Sequence, residues 1–439
     1  MPLPVPPLLS LKETLKKTTP SAVSLYLAPW VVPVSSPVIR DGAVAVVDGR
    51  ILAVGSSASL QTQFADARSE HCQGVLLPAL VNAHIHLELS TFSHILRPGP
   101  DETFCDWIRS LLHLRQENLV GPEETARAAR QMLRQQHATG VLLLLDIGNI
   151  QPSPLSVTSS PVHLVNLLEL LGPTAKAEEL VLARIASLAD SVMATPHAPY
   201  STTPGIMTAL KERADRLQHI FSLHVAESAD EIELLQSGTG CFRGFLEERG
   251  AWENAFPCLG VDSHGTVEYL EQLGLLDTNM LCVHCVQVSE KEVQLLAERG
   301  CKVCLCPGSN RFLNVGVAPL ELMLRHGLLP ALGTDSSASN EELDLWQEMR
   351  ILREDHPGVK PAEIMAMATL GGALAMGREQ DFGTLSPGRE ATFLNVHSPS
   401  LQGLHDLHGA EQLLNILTTD GRPEEIRWII EEGSPAPNK

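Results

Sequence analysis

Residues 80–86, LVNAHIH, are the most informative stretch for the fold, because they join a short apolar run to two histidines at its end. Short apolar runs of this kind are typical of parallel strands that are buried on both faces of a sheet. Side chains alternate along a strand, so His84 and His86 lie on the same face. We therefore predict a buried strand here whose carboxyl end carries a pair of imidazoles.

Seven further runs follow along the chain. They are VLLLLDIG (141–148), VHLVNLLEL (162–170), VMATPHAP (192–199), IFSLHVAE (220–227), MLCVHCV (280–286), KVCLCP (302–307) and LLPALGTD (328–335). Segments of helical period lie between most of them, such as SEKEVQLLAERG (289–300). Eight buried strands alternating with helices predict a (β/α)8 TIM barrel.

Both ends of the chain show a different, β-rich pattern. Residues 22–34 and 41–55 alternate between apolar and polar residues, with Asp-Gly pairs that favour hairpin turns. Residues 382–397 and 425–433 return to this pattern. We therefore expect an α/β protein in which 1–77 and 382–439 build one small β-sandwich domain and 78–381 form the barrel.

Length and charge limit the class of protein. The 439 residues suit a barrel of roughly 250 residues plus a smaller domain. With 32 Lys and Arg against 52 Asp and Glu, the net charge is −20, which disfavours nucleic acid and anionic membranes as partners. We expect a small-molecule substrate as the partner, and a homo-oligomer stays open.

The remaining bulk features indicate a cytoplasmic protein. No apolar run reaches the roughly 18 residues of a membrane helix, and residues 1–21 lack the pattern of a signal peptide. The nine cysteines are odd in number and unevenly spaced, so we expect reduced thiols. Four of them (282, 285, 301 and 304) match a zinc-ribbon spacing, but residues three apart on a strand point to opposite faces.

Polar side chains gather at the ends of the predicted strands. Five of the eight runs end in, or are followed by, imidazoles or carboxylates: His84, His86, His197, His224, Glu227, His284 and Asp335. In a TIM barrel the chemistry lies at the carboxyl ends of the strands. A purely structural protein has no reason to place these groups at one end of its barrel.

Four of these residues form a predicted metal site. His84, His86, His224 and Asp335 would supply three imidazoles and a carboxylate and leave one position open. This donor set suits one divalent metal, with Zn²⁺ preferred and Fe²⁺ as the alternative. Such an ion lowers the pKa of a water molecule that it binds toward about 7.

The catalytic residues are predicted from the same strand ends. Glu227 lies three residues after His224, an offset that takes it off the strand and over the metal, where it can carry protons. His284 would orient the attacking water or help to deprotonate it. Asp335 can accept the proton of that water as well as bind metal.

The order and spacing of several motifs resemble one known family. PALVNAHIHLELS (78–90), HVAES (224–228), CPGSN (306–310) and GTDSSASN (333–340) are similar to signatures of the cytosine-deaminase-like and chlorohydrolase-like branch of the amidohydrolase superfamily. The resemblance implies the metal, shuttle and water-activating residues named above. It also implies one metal, because VMATPHAPY (192–200) has no lysine where two-metal members carry one.

Within that branch the motifs look most like aminodeoxyfutalosine deaminases of menaquinone synthesis. The expected reaction is release of ammonia from a 6-aminopurine nucleoside with an acidic tail. Deamination of adenosylhomocysteine, methylthioadenosine, guanine or cytosine, or hydrolysis of a triazine, is the alternative. The predicted substrate contacts are His197, Trp107, Glu88, Arg115 and Glu227, with Arg109 as a second candidate for the acidic tail.

Two further expectations concern side chains outside this set. Glu88 lies two residues beyond His86, so it can order the metal loop or contact substrate. The acidic residues Glu341, Asp344 and Glu348 are expected to form a solvated helix face.

Overall fold

A computed structural model of the chain describes residues 22–93, 95–99, 101–117, 120–150, 161–253, 265–401 and 409–430. The segment at 1–21, for which we expect no signal peptide, lies outside these ranges, as does the last part of the predicted strand at 425–433.

The N-terminal strands form part of a mixed sheet with both antiparallel and parallel pairings. They are β1 (Ser24–Val31), β2 (Ile39–Val47), β3 (Arg50–Ser56), β4 (Arg68–His71) and β5 (Val75–Pro78). The turn between β2 and β3 has φ of 51° at Asp48 and 70° at Gly49. Two positive φ values are what a two-residue type I′ hairpin turn requires, so the predicted hairpin at 41–55 is confirmed.

All eight predicted barrel strands are present. They are β6 (Leu80–Ile85), β7 (Val141–Gly148), β8 (His163–Leu170), β9 (Ala194–Pro196), β10 (Phe221–Val225), β11 (Met280–His284), β12 (Lys302–Leu305) and β13 (Ala331–Leu332). Parallel pairing joins β6 to β9 and β10 to β13. Ser222 donates its N–H to the Thr195 hydroxyl at 2.8 Å across one seam, and Ile85 bridges Asp335 across the other. The predicted TIM barrel is confirmed.

The last two strands, β14 (Thr392–His397) and β15 (Glu425–Ile430), return to the first sheet. β14 pairs antiparallel with both β5 and β15, which gives the order β15-β14-β5-β1-β2-β3, with β4 beside β1. Tyr26 of β1 meets Phe393 of β14 edge to face, with ring centroids 5.6 Å apart, inside a shared apolar cluster. The β-sandwich domain built from both ends is therefore confirmed.

Helices cover the barrel, except α1 (Ser57–Gln63), which packs on the small domain. The others are α2 (Phe104–Glu117), α3 (Pro122–Ala138), α4 (Ala175–Ser187), α5 (Pro204–Leu217), α6 (Ala229–Ser237), α7 (Cys241–Glu248), α8 (Thr266–Gln272), α9 (Glu290–Arg299), α10 (Pro307–Phe312), α11 (Leu320–Arg325), α12 (Leu345–Asp355), α13 (Pro361–Ala366), α14 (Gly372–Ala375) and α15 (Ala410–Thr419). Short helical turns lie at Leu87–Leu89, Met367–Gly371 and Pro399–Leu401.

Local sequence explains where these helices begin and end. Ser289 and Glu292 form a reciprocal capping box at the start of α9, and Gly300 ends that helix with φ of 71°.

α15 packs on α12 and α13, so the chain returns to the barrel layer between its last two strands. Within the described ranges, none of the helices has the length and apolar character needed to cross a membrane.

Candidate active site

The four predicted metal ligands converge at the carboxyl end of the barrel. Ligand atoms of His84, His86 and His224 lie within 4.8 Å of one another. His84 Nε2 is 3.3 Å from His224 Nε2 and 3.6 Å from Asp335 Oδ1. The same carboxylate oxygen is 3.4 Å from His86 Nε2. The structure thus brings together residues that are up to 251 positions apart, since 335 − 84 = 251.

The charge states of His84, His224 and Asp335 suit metal binding. Burial opposes the charged form of His86, but the charges of Asp335 and Glu169 raise the pKa of His86 above its usual value. Burial lowers the pKa of His84, and burial with the neighbouring imidazoles lowers the pKa of His224 well below its usual range. Burial opposes ionisation of Asp335, yet hydrogen bonding and charge from the histidines hold the pKa of Asp335 well below its usual range. Neutral imidazoles and an ionised carboxylate are the states in which these side chains bind metals.

Hydrogen bonds outside the cluster aim its ligand atoms inward. The His197 carbonyl accepts from His224 Nδ1 at 2.8 Å, which leaves a lone pair on His224 Nε2. Ser309 and Ser339 donate to Asp335 Oδ2 at 2.6 and 2.7 Å, so Oδ1 faces the histidines. Buried lone pairs that face one another at 3.3–3.6 Å fit a divalent cation among them.

A second group, formed by Glu227, His284 and Asp335, adjoins the first. His284 Nε2 lies 3.5 Å from Glu227 Oε1, and His284 Nδ1 donates to Asn310 Oδ1 at 2.9 Å. Burial lowers the pKa of His284 to about 4, so its Nε2 carries a lone pair at neutral pH. Burial and the charges of Asp335 and Glu231 raise the pKa of Glu227 well above its usual range, which favours a protonated carboxyl.

Unusual backbone conformations hold these side chains in place. Ala226, His284 and Asp335 have φ of 50°, 72° and 57°, a left-handed region that residues with a side chain rarely adopt. Glu231, in α6, accepts from the N–H groups of Ala226 at 2.9 Å and Glu227 at 3.1 Å. Strained conformations of this kind persist where the surrounding bonds demand them, as at active sites.

Sequence reasoning missed several supporting residues. Ser309, Asn310 and Ser339 belong to the motifs CPGSN and GTDSSASN, yet no role was predicted for them. Their position four to seven residues beyond the end of β12 or β13 is the signal that points to them. Which active-site side chain each of them contacts depends on the fold.

The prediction of a solvated acidic face is wrong for two residues. Glu348 is fully buried and accepts from the Gly308 N–H and from Asn340 Nδ2, both at 2.7 Å. Asp344 is buried and caps α12 by accepting from the Trp346 N–H at 3.0 Å. The helix turns this side toward the motif loops that support the site, and burial raises the pKa of Glu348 to about 8.

A cavity of about 340 Å³ opens over the two groups of ligands. One wall is apolar and comes from α2 and α7, through Trp107, Leu111 and Phe245 among others. Polar side chains also line the cavity, and we call them its polar wall: Glu88, Arg115, Asn149, Glu169 and His197. The cavity therefore suits a ligand that carries both apolar and hydrogen-bonding groups.

The predicted substrate contacts are mostly on this cavity. Glu88, Trp107, Arg115, His197 and Glu227 all line it. Trp107 Nε1 donates to the Ala338 carbonyl at 3.3 Å, and Arg115 Nη2 is 3.6 Å from Glu88 Oε1.

Glu88 and Arg109 differ in their relation to the cavity. Glu88 Oε2 accepts from the N–H groups of Asn149 at 2.8 Å and Ile150 at 3.2 Å, so Glu88 orders the loop after β7. Arg109 does not line the cavity, because it pairs with Asp106 and Glu248 at 2.9 and 3.0 Å.

The expectation that all cysteines are reduced is wrong for one pair. Cys105 in α2 and Cys241 in α7 form a disulfide with Cα atoms 6.1 Å apart. They are 136 positions apart, so their spacing in sequence does not reveal the pairing. The six other described cysteines are free and buried: Cys72, Cys282, Cys285, Cys301, Cys304 and Cys306.

The barrel and its mouth define a class, the metal-dependent TIM-barrel hydrolases. Residues 75–423 match the amidohydrolase family, and residues 42–67 match the imidazolonepropionase-like composite domain of bacteria. The chain belongs to the amidohydrolase family and is a hydrolase acting on carbon–nitrogen bonds. The resemblance seen in its motifs is therefore confirmed.

Similar proteins include 5-methylthioadenosine/S-adenosylhomocysteine deaminases. That of Moorella thermoacetica is 29% identical over 86% of both chains, and that of Syntrophobacter fumaroxidans is 30% identical over 81% of this chain and 80% of the relative. An adenosine deaminase structure from Xanthomonas campestris with bound zinc has a TM-score of 0.72 at 26% identity, covering 92% of this chain and 90% of that one.

Helicobacter pylori aminofutalosine deaminase in complex with methylthio-coformycin matches with a TM-score of 0.77 at 24% identity, covering 94% of this chain and 99% of that one. At this identity the likeness shows the fold alone.

Proposed function

We propose that the chain deaminates 6-aminopurine nucleosides, using one divalent metal, preferably Zn²⁺, held by His84, His86, His224 and Asp335. The observation that carries the proposal is the Glu227–His284 pair, 3.5 Å apart, directly beside this ligand set. The names of the relatives and the zinc in the adenosine deaminase structure support the substrate class and the metal.

The proposed reaction replaces the exocyclic amine at C6 by oxygen from water. A bound divalent cation would supply Lewis-acid activation of that water. Protonated Glu227 donates a proton to the adjacent ring nitrogen, which makes C6 more electrophilic. One proton of the water passes to Asp335 or His284 and on to the leaving amine, and its second proton returns to Glu227, so the purine and water yield the 6-oxopurine and ammonia.

The finer proposal for the substrate is a nucleoside with an acidic tail, similar to aminodeoxyfutalosine. Arg115 supports it, since its guanidinium lines the polar wall of the cavity. Arg249 also lines the cavity and was not predicted. A place in menaquinone synthesis and a cytoplasmic location remain predictions that depend on this assignment.

The apolar wall favours a second candidate within the same class. Trp107, Leu111 and Phe245 line the cavity with apolar surface, beside the guanidinium of Arg249, which lies 5.6 Å from the Phe245 ring. A thioether substituent on the sugar, as in methylthioadenosine, would bury apolar surface there without the desolvation of a carboxylate.

A substrate panel tests these proposals. Zinc-loaded protein is offered adenosine, methylthioadenosine, adenosylhomocysteine and aminodeoxyfutalosine, with guanine, cytosine and a triazine for comparison, and ammonia release is measured. We expect turnover of the aminopurine nucleosides. For an acid-tailed substrate, Arg115→Ala should raise KM about tenfold or more, because it removes a charged hydrogen bond.

Arg109→Ala is the matched control, because Arg109 lies on the same helix but outside the cavity lining. Activity only on guanine, cytosine or a triazine would contradict the purine nucleoside assignment and leave the fold and family unaffected. An equal effect of both arginine variants would contradict the role of Arg115.

A further inference from the structure

We propose that Glu169 and His197 form a subsite that binds the vicinal hydroxyl groups of the substrate's sugar. This inference rests on the proposed deamination of nucleosides and names the part of the substrate that the polar wall recognises. Glu169, in β8, was not predicted as a site residue. Its side chain is only 4% exposed and lines the cavity.

One carboxylate oxygen of Glu169 lacks a hydrogen bond. Oε2 accepts from Asn149 Nδ2 at 3.0 Å. Oε1 is buried and has no hydrogen-bond partner among the residues that the structure describes. It lies 3.8 Å from His224 Nδ1, but that nitrogen already donates to the His197 carbonyl. A buried acceptor without a donor is costly, which indicates that a ligand supplies the donor.

His197 offers a second acceptor next to it. The Ser201 hydroxyl donates to the Ala198 carbonyl at 3.1 Å, so the contact of 2.7 Å between Ser201 Oγ and His197 Nδ1 has the imidazole as its donor. This tautomer leaves a lone pair on His197 Nε2. Ligand atoms of Glu169 and His197 lie within 4.8 Å of each other.

Two neighbouring acceptors call for a ligand with two neighbouring donors. In a 6-aminopurine nucleoside the exocyclic amine is one donor, but it must lie at Glu227 and His284 for the reaction to occur. The remaining donors of the nucleoside core are the sugar hydroxyls, of which the 2′ and 3′ groups are adjacent. A hydroxyl that donates to a carboxylate also gives a stronger bond than a neutral pair.

The test compares adenosine with 2′-deoxyadenosine and 3′-deoxyadenosine. Native enzyme should prefer adenosine over at least one deoxy analogue by roughly 10- to 100-fold in kcat/KM, the effect of losing a hydrogen bond to a charged group. Glu169→Gln should lower kcat/KM for adenosine by a similar factor, mainly through KM, and barely change it for that analogue. Glu179→Gln, on the exposed side of α4, is the matched control and should change neither value.

Several outcomes would overturn the subsite. These are an equal loss for all three nucleosides in Glu169→Gln, undiminished discrimination in that variant, or preference for free adenine over adenosine. A second equivalent of bound zinc that disappears in Glu169→Gln would make Glu169 a metal ligand instead.

Binding separates this inference from the proposed function. If no aminopurine nucleoside is turned over, the proposed function fails, and calorimetry decides on the subsite. Tighter binding of adenosine than of the deoxy analogues, lost in Glu169→Gln, would support the subsite even then. Absence of adenosine binding, or binding that is indifferent to Glu169, would overturn it.

Discussion

Glu227 is the residue on which the proposed proton transfer depends most directly. Its carboxyl faces His284 at 3.5 Å and does not belong to the group of three histidines. We expect Glu227→Gln to keep its zinc and to lose turnover by about 10² or more, because an amide cannot exchange the proton. Metal analysis and steady-state kinetics on one sample check this. Turnover near the native rate would show that another group carries the proton.

Asn310 is a positioning residue that acts through His284. It accepts a hydrogen bond from His284 Nδ1 at 2.9 Å and thereby sets the tautomer of that imidazole. Asn310→Ala removes this acceptor, and we expect kcat to fall about 10- to 100-fold while the metal content stays unchanged. Asn415→Ala, on the exposed side of α15, serves as the control. An unchanged kcat in Asn310→Ala would mean that His284 holds its orientation without this bond.

At the scale of elements, the disulfide between α2 and α7 joins the two helices that form the apolar wall of the cavity. The pair Arg109–Glu248, at 3.0 Å, links the same helices but is largely exposed and contributes little. We expect Cys105→Ser to lower Tm by roughly 4–10 °C, because the disulfide restricts the unfolded chain.

Thermal unfolding with and without a reducing agent measures this effect. Reduction should bring the native protein down to the Tm of Cys105→Ser and leave that variant unchanged. Cys72→Ser, in the small domain, should keep its sensitivity to reduction, because Cys72 is a free thiol. Equal Tm values for native protein and Cys105→Ser under oxidising conditions would argue against a disulfide in solution.

At the scale of the whole molecule, the predicted metal ligands come from opposite parts of the barrel. His84 lies in β6 and His86 directly follows it, His224 lies in β10, and Asp335 follows β13. A metal bound only by the folded chain stabilises it, so a chelator should lower Tm and one equivalent of zinc should restore it. His224→Ala should bind no zinc tightly and should melt like the chelated protein. Two equivalents per chain, or a Tm indifferent to chelation, would contradict the single site.

The barrel and the residues at its mouth follow from the pattern of the sequence alone. Eight short apolar runs specify eight buried strands, and parallel strands in a closed barrel bring all their carboxyl ends to one side. A histidine or carboxylate at the end of LVNAHIH (80–86) or LLPALGTD (328–335) must therefore face the same space. The position of these residues along the chain was enough to predict the site, because the barrel topology brings all strand ends of one kind to the same face.

The side chains that support those residues are known only from the packing of segments that are distant in sequence. The bond from His284 to Asn310, the pairing of Cys105 with Cys241 and the open acceptor on Glu169 each join segments whose distance is set by packing. Glu348 shows the same limit. The sequence predicts a solvated acidic residue on a helix, but the neighbouring loop with Gly308 buries it in the folded protein. The periodicity of apolar residues indicates whether a segment is a helix or a strand. It does not show which side chains of two elements touch, because those contacts depend on how the elements pack against each other.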